Sequence, residues 1–187
     1  MRRILPSLLL GLLWLLPGGA AGASDDDIEV VIRVDGEVVH ADVNLTVQAT
    51  QLEVWAVLTD FAHMAEYVSN LLSSQVLSRD GNLVMVAQKG KASVGPLSFE
   101  FDSIREIRLT PFDTISTRQL SGNLKKFDGT TQLLAEDGYT RIRHHSDAIP
   151  NVWVPPLIGR QFIASETREQ FGEIRQEILR RKQAAAK

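Results

Sequence analysis

The chain has 187 residues, 20 Lys+Arg against 23 Asp+Glu, and no cysteine. That length suits one domain. The acidic balance argues against nucleic acid as a partner, since phosphate binding needs a concentrated positive field. The lack of cysteine excludes thiol catalysis, zinc–thiolate sites and iron–sulfur clusters.

The N-terminus reads as a secretory signal peptide. Arg2 and Arg3 form a basic start, Ile4 to Leu16 is an apolar run of 13 residues, and Ala21-Gly22-Ala23 supplies a small-residue cleavage site. The run is shorter than the ~20 residues a spanning helix needs, so cleavage after Ala23 is expected rather than retention as an anchor. Without Arg2 and Arg3 the formal charge moves from −3 to −5. No later segment is apolar enough to span a membrane. The remaining chain, about 164 residues, can bury an ordinary core without disulfides.

The expected organisation is a signal peptide at 1–23, a leader and extra strand at 24–36, one domain at 37–182 and a frayed tail at 183–187. Ile28 to Val34 is rich in β-branched residues. From Glu37 to Gln48, Val39, Ala41, Val43, Leu45 and Val47 alternate with polar residues, the period of a half-buried strand. Gln51 to Leu58 reads as a helix, with Thr50 as N-cap and Glu53 placed for a capping box. A second short helix is expected over 62–68.

Strand candidates follow at 83–87, 97–102, 114–120, 130–136 and 139–146, within a meander of about six strands. Four Asp-Gly pairs, at 35–36, 80–81, 128–129 and 137–138, read as tight turns because both residue types tolerate positive φ. The segment 89–96, KGKASVGP, reads as a hairpin loop rather than a phosphate cradle. From Leu157 to Lys182 apolar residues recur at three- and four-residue steps, predicting a long amphipathic helix. Pro155 stops the preceding strand and Pro156 suits a first helical turn. Trp153 would then lie near the mouth of the space between sheet and helix.

The stretches VWAVLTDFAHMAEYVSNL (54–71), SFEFD (98–102) and IPNVWVPPLIG (149–159) resemble the helix-grip superfamily. That group includes START lipid-transfer domains and polyketide cyclases and dehydrases, and the likeness is strongest to the bacterial polyketide cyclase/coenzyme Q-binding START-like branch. The resemblance covers residues 37–182. It implies an α+β helix-grip fold, in which a curved antiparallel sheet wraps a long C-terminal helix with an apolar cavity between them. The export signal and the extra strand at 28–34 depart from the cytosolic and mitochondrial relatives.

Specific chemistry is sparse. His144-His145 with Asp147 read as surface residues: neighbours along a strand point to opposite faces, and no HxH or HExxH spacing occurs. No metal site is therefore expected. No G-x-S-x-G elbow is present. The sequon Asn44-Leu45-Thr46 lies in the clearest strand, and no modification is expected there. Alternation from Leu97 through Phe101 places Arg105 on the apolar face. A buried guanidinium needs a carboxylate or a ligand's polar group; a bulge or an exposed strand end, turning it to solvent, is the simpler expectation.

Phe99, Phe101, Arg105, Trp153, Ile158 and Phe162 are the candidate ligand contacts. The sequence reads best as an exported carrier, periplasmic or secreted, of an apolar lipid, isoprenoid or quinone-like molecule, with no cofactor and no nucleic-acid partner. The alternative is a cyclase or aromatase acting in the same cavity, with acid–base candidates Arg105, Tyr67, Tyr139 and Asp102 but no evident acid–base pair.

Overall fold

The computed structural model describes residues 27–94, 97–151 and 156–187; for 94, 97, 99 and 156–158 only the backbone is described. The expected signal peptide and leader, residues 1–26, lie outside this set. Strands β1 (Glu29–Asp35) and β2 (Val38–Val47) lead into helix α1 (Gln51–Leu58). Strands β3 (Leu71–Asp80), β4 (Leu83–Val94), β5 (Leu97–Thr110), β6 (Thr114–Gly122), β7 (Leu124–Glu136) and β8 (Tyr139–Pro150) follow, and helix α2 (Pro156–Ala185) ends the chain. One antiparallel sheet runs in the order β1-β2-β8-β7-β6-β5-β4-β3. The helix-grip expectation holds: an eight-stranded curved antiparallel sheet wraps the long C-terminal helix.

Local chemistry explains most boundaries. Thr50 caps α1 through a full capping box: its hydroxyl accepts from the Glu53 N–H, and the Glu53 carboxylate accepts from the Thr50 N–H at 2.7 Å. Gly36, Gly81 and Gly138 turn the β1–β2, β3–β4 and β7–β8 hairpins at φ of 59°, 53° and 75°, as their Asp-Gly pairs predict.

Four expectations need correction, and one strand, β3, was not expected. Asp128-Gly129 is not a turn, because β7 runs straight through it and Gly129 pairs with Ser146. The space there explains the glycine: a Cβ on Gly129 would stand 3.3 Å from the Phe127 ring and 3.5 Å from His144. Residues 89–94 are not a loop but the second half of β4, paired with β5. The second helix is a single 3₁₀ turn, Met64–Glu66. β3 escaped notice because it is an edge strand whose polar residues break the alternation. Helix α2 continues past 182 to Ala185, so most of the expected tail is helical.

Helix α2 crosses the inner face of the sheet and divides it into two regions. Its C-terminal half places Phe171, Ile174 and Ile178 in a filled core with Val43, Leu45, Val54, Val57, Ile107, Leu133 and Ile142. That half is anchored by Arg181, which pairs with Asp60 at 2.9 Å and with Glu177 at 2.6 Å. The N-terminal half, from Phe162 to Gln170, faces a cavity instead.

Candidate functional site

The cavity between the N-terminal half of α2 and the sheet has a volume of about 650 Å³, within the range of small-molecule pockets. Period-two alternation builds its wall. On β5 it turns Phe101, Ser103 and Arg105 inward; on β8 it turns His144, Ser146 and Ala148 inward; Phe127 and Gln119 complete this side from β7 and β6. Phe162, Ile163 and Glu166 face them from α2.

Arg105 is the dominant electrostatic feature. It faces the cavity, which overturns the simpler expectation of a solvent-facing side chain. A register shift does occur in the β5–β6 pairing between Ile104 and Arg105, but it leaves Arg105 on the same face as buried Ser103 and Ile107. Its Nε donates to Ser103 Oγ at 3.0 Å, and its guanidinium carbon stands 4.6 Å from the Phe127 ring centroid. Among the described residues it makes no ion pair. Burial pulls its pKa down to about 10, so it remains a cation at neutral pH. This half-buried cation has one hydroxyl and one aromatic face as its partners among the described residues, so its other guanidinium donors are open to the cavity.

The neighbouring polar groups are similarly under-satisfied. Among the described residues, Asn70 Oδ1 and Gln119 Oε1 are buried acceptors without a hydrogen-bond partner, and both residues line the cavity. Gln119 sits directly across from Arg105 in the β5–β6 register. His144 shares a 2.9 Å hydrogen bond with Thr131 Oγ1 and lies 5.3 Å from the Phe171 ring. Burial first, and then the charges of His145 and Arg105, lower its pKa to about 4. The imidazole is therefore neutral at neutral pH. Burial also raises the Glu166 carboxyl above its usual range.

Of the six candidate contacts, Phe101, Arg105 and Phe162 line the cavity. Trp153 and the side chains of Phe99 and Ile158 lie outside the described residues. The four acid–base candidates do not converge. The Tyr67 hydroxyl donates to Val57 O at 2.9 Å, and burial pushes its pKa up to about 12; it lines no part of the cavity. Tyr139 is exposed. Asp102 and Arg105 both line the wall but do not pair. Sequence reasoning missed Phe127, because Asp128-Gly129 read as a turn and broke β7 one residue after it. It missed Asn70 and Gln119 because isolated amides carry no pattern.

The sequence matches the profile described as polyketide cyclase/dehydrase and lipid transport over residues 47–174. The chain belongs to this family. Comparison of the sequence with curated proteins gives no match. Solved structures agree on the fold. The STAR-related lipid transfer protein from Xanthomonas axonopodis superposes with a TM-score of 0.69 at 13% identity, covering 84% of this chain and 96% of that one. The ZhuI aromatase/cyclase from a Streptomyces species gives 0.68 at 18% identity, covering 79% and 98%. A START superfamily protein from Mycobacterium smegmatis gives 0.66 at 10% identity, covering 75% and 97%. At such identities the likeness concerns the fold, and this family member's ligand must be argued from its own wall.

Proposed function

We propose that the protein is a carrier that holds one amphipathic small molecule in the cavity, with an apolar body and an anionic or strongly polar end. Arg105 carries this reading: a half-buried cation in a wall of aromatic and polar side chains, with no carboxylate partner among the described residues, suits the end group of a ligand. The unpaired acceptors of Asn70 and Gln119 suit hydroxyls beside that end group. Phe101, Phe127 and Phe162 would cover the apolar body, whose removal from water contributes roughly 25 cal/mol per Å². The lipid-transport side of the family's description agrees with this reading. The N-terminal segment adds export to the proposal, so that the carrier works in the periplasm or outside the cell. The cyclase reading needs an acid paired with a base, and the described wall brings no such pair together.

The test is a matched pair of probes, a long-chain carboxylate and its alcohol, titrated by calorimetry into the protein and into Arg105→Met. Methionine keeps the apolar stem and removes the charge. The carboxylate should bind more tightly than the alcohol, and Arg105→Met should lower its affinity by about 10- to 100-fold, as for a lost charge-assisted hydrogen bond, while the alcohol changes little. Equal binding of both probes by both proteins would remove the role assigned to Arg105.

A further inference from the structure

The outer face of the sheet carries a second cluster, unconnected with the ligand cavity. His40 and Asp42 lie two residues apart on β2, and His145 and Asp147 two apart on β8. The β2–β8 register sets His40 opposite Asp147 and Asp42 opposite His145. Four side chains thus share one face at the corners of a small square. The adjacent pair His144-His145 cannot do this, since His144 points inward; the second histidine comes from the neighbouring strand.

We propose that His40, His145 and Asp147 form a binding site for a divalent transition-metal ion of the zinc type. One donor atom from each lies within 4.8 Å of the other two. His40 Nδ1 stands 2.6 Å and His145 Nε2 3.1 Å from the same oxygen, Asp147 Oδ1. Ligands about 2.0–2.1 Å from a tetrahedral ion lie roughly 3.3 Å from one another, so small rotations of the three side chains would admit the ion. Two imidazoles and one carboxylate leave a further position for water, and this donor set suits zinc, cobalt, nickel or copper.

The second nitrogen of His145 strengthens the assignment. His145 Nδ1 lies 2.7 Å from Asp42 Oδ1. In the tautomer that donates Nδ1–H to Asp42, the Nε2 lone pair faces Asp147 Oδ1 and is placed to ligate an ion beside it. Asp42 is then the positioning carboxylate that commonly fixes a metal-bound histidine. Of the nearby cations, Arg33 pairs with the other oxygen of Asp42, Oδ2, at 2.6 Å, and Lys126 pairs with Asp128 at 2.9 Å. The side chains of the cluster are 27–48% exposed, and Asp42 and His145 also line an outer groove of about 580 Å³, so an ion can reach them.

The experiment titrates untagged, metal-stripped protein with Zn²⁺ by calorimetry and with Co²⁺ by visible spectroscopy and NMR. One ion per chain is expected. His40→Ala and His145→Ala should each weaken Zn²⁺ binding by more than about 10-fold, and Asp42→Asn by about 10- to 100-fold. His63→Ala is the internal comparison: His63 also sits 2.6 Å from an aspartate, Asp60, but has no second histidine, and its loss should leave binding unchanged. In the unaltered chain, bound Co²⁺ should give d–d bands of a four- or five-coordinate ion and broaden the ring protons of His40 and His145 well before those of His63. Absence of stoichiometric binding, binding that survives loss of both His40 and His145, or Co²⁺ broadening that spares these rings would overturn the proposal.

Discussion

Burial holds the His144 imidazole neutral in the cavity wall, with its pKa lowered to about 4, against an ordinary value of about 6.5 in the unfolded chain. Between those values the unfolded chain binds a proton that the folded chain refuses. Stability is therefore present above pH ~6.5 and is lost as pH falls towards 4, by about 2–3 kcal/mol in order of magnitude. Urea unfolding at a series of pH values should show this loss, and His144→Gln should flatten it. Glu177 acts in a separate window. The Arg180 hydrogen bonds first, and then those of Arg181, lower its carboxyl to about 2. Its contribution is present above the usual carboxylate range and is lost only as pH falls from about 4.5 to about 2. An unchanged pH slope in His144→Gln between 6.5 and 4 would mean that the imidazole is solvated. Gly90 makes a steric prediction of a different kind. A Cβ there would stand 2.1 Å from the Phe101 ring and 2.4 Å from the Asn70 carbonyl oxygen. Gly90→Ala should destabilise by about 2 kcal/mol or more, whereas a Cβ on Gly36 meets nothing within 4 Å. Alanine at Gly36 should cost only the ~1 kcal/mol of its left-handed backbone. Thermal melts of the two variants decide this.

Helix α2 carries two tasks along one length, about 45 Å at 1.5 Å per residue. Ile178 is fully buried in the filled core, so Ile178→Ala should cost about 2–5 kcal/mol. Phe162 borders a void, and its truncation leaves little new cavity. Phe162→Ala should cost clearly less in the ligand-free protein, yet weaken binding of an apolar probe. Equal destabilisation in the two variants would mean that the space beside Phe162 is filled. The elements also show what patterning can and cannot reveal. The β2 alternation, the Thr50–Glu53 capping box and the apolar steps of α2 were legible because each is a local period or cap. β3 was not, since an edge strand need not alternate when one side meets solvent. Asp128-Gly129 misled because a glycine chosen for ring clearance looks identical to one chosen for a turn. Counting along β5 puts Arg105 on the inner face, but a bulge or strand end that turns it to solvent was the simpler expectation, and the structure overturns it. Its lack of a carboxylate partner was not legible, since partners come from distant strands. The cluster of His40, Asp42, His145 and Asp147 needed the β2–β8 register, which pairs residues more than 100 positions apart.

At the scale of the whole molecule, the fold separates stability from binding. One end of the sheet–helix sandwich is packed solid and the other stays open over about 650 Å³. No helix among the described residues is long and apolar enough to cross a membrane. Removal of α2 before Pro156 would expose the core face that Phe171, Ile174 and Ile178 cover, each worth ~1.5–3 kcal/mol on burial, against a typical total of 5–15 kcal/mol. Such a truncation should not melt cooperatively. The export proposal predicts Ser24 as the first residue of the protein recovered from the exported fraction, and an intact Met1 in the membrane fraction would contradict it. The central claim is that the open end holds an amphipathic ligand. It is tested most directly by native mass spectrometry of protein purified gently from its producing cell, with analysis of the organic extract. The account predicts a one-to-one complex with a single class of amphiphile bearing an acidic or strongly polar end group. Protein that is repeatedly ligand-free, and that also fails to take up an added long-chain carboxylate, would contradict it.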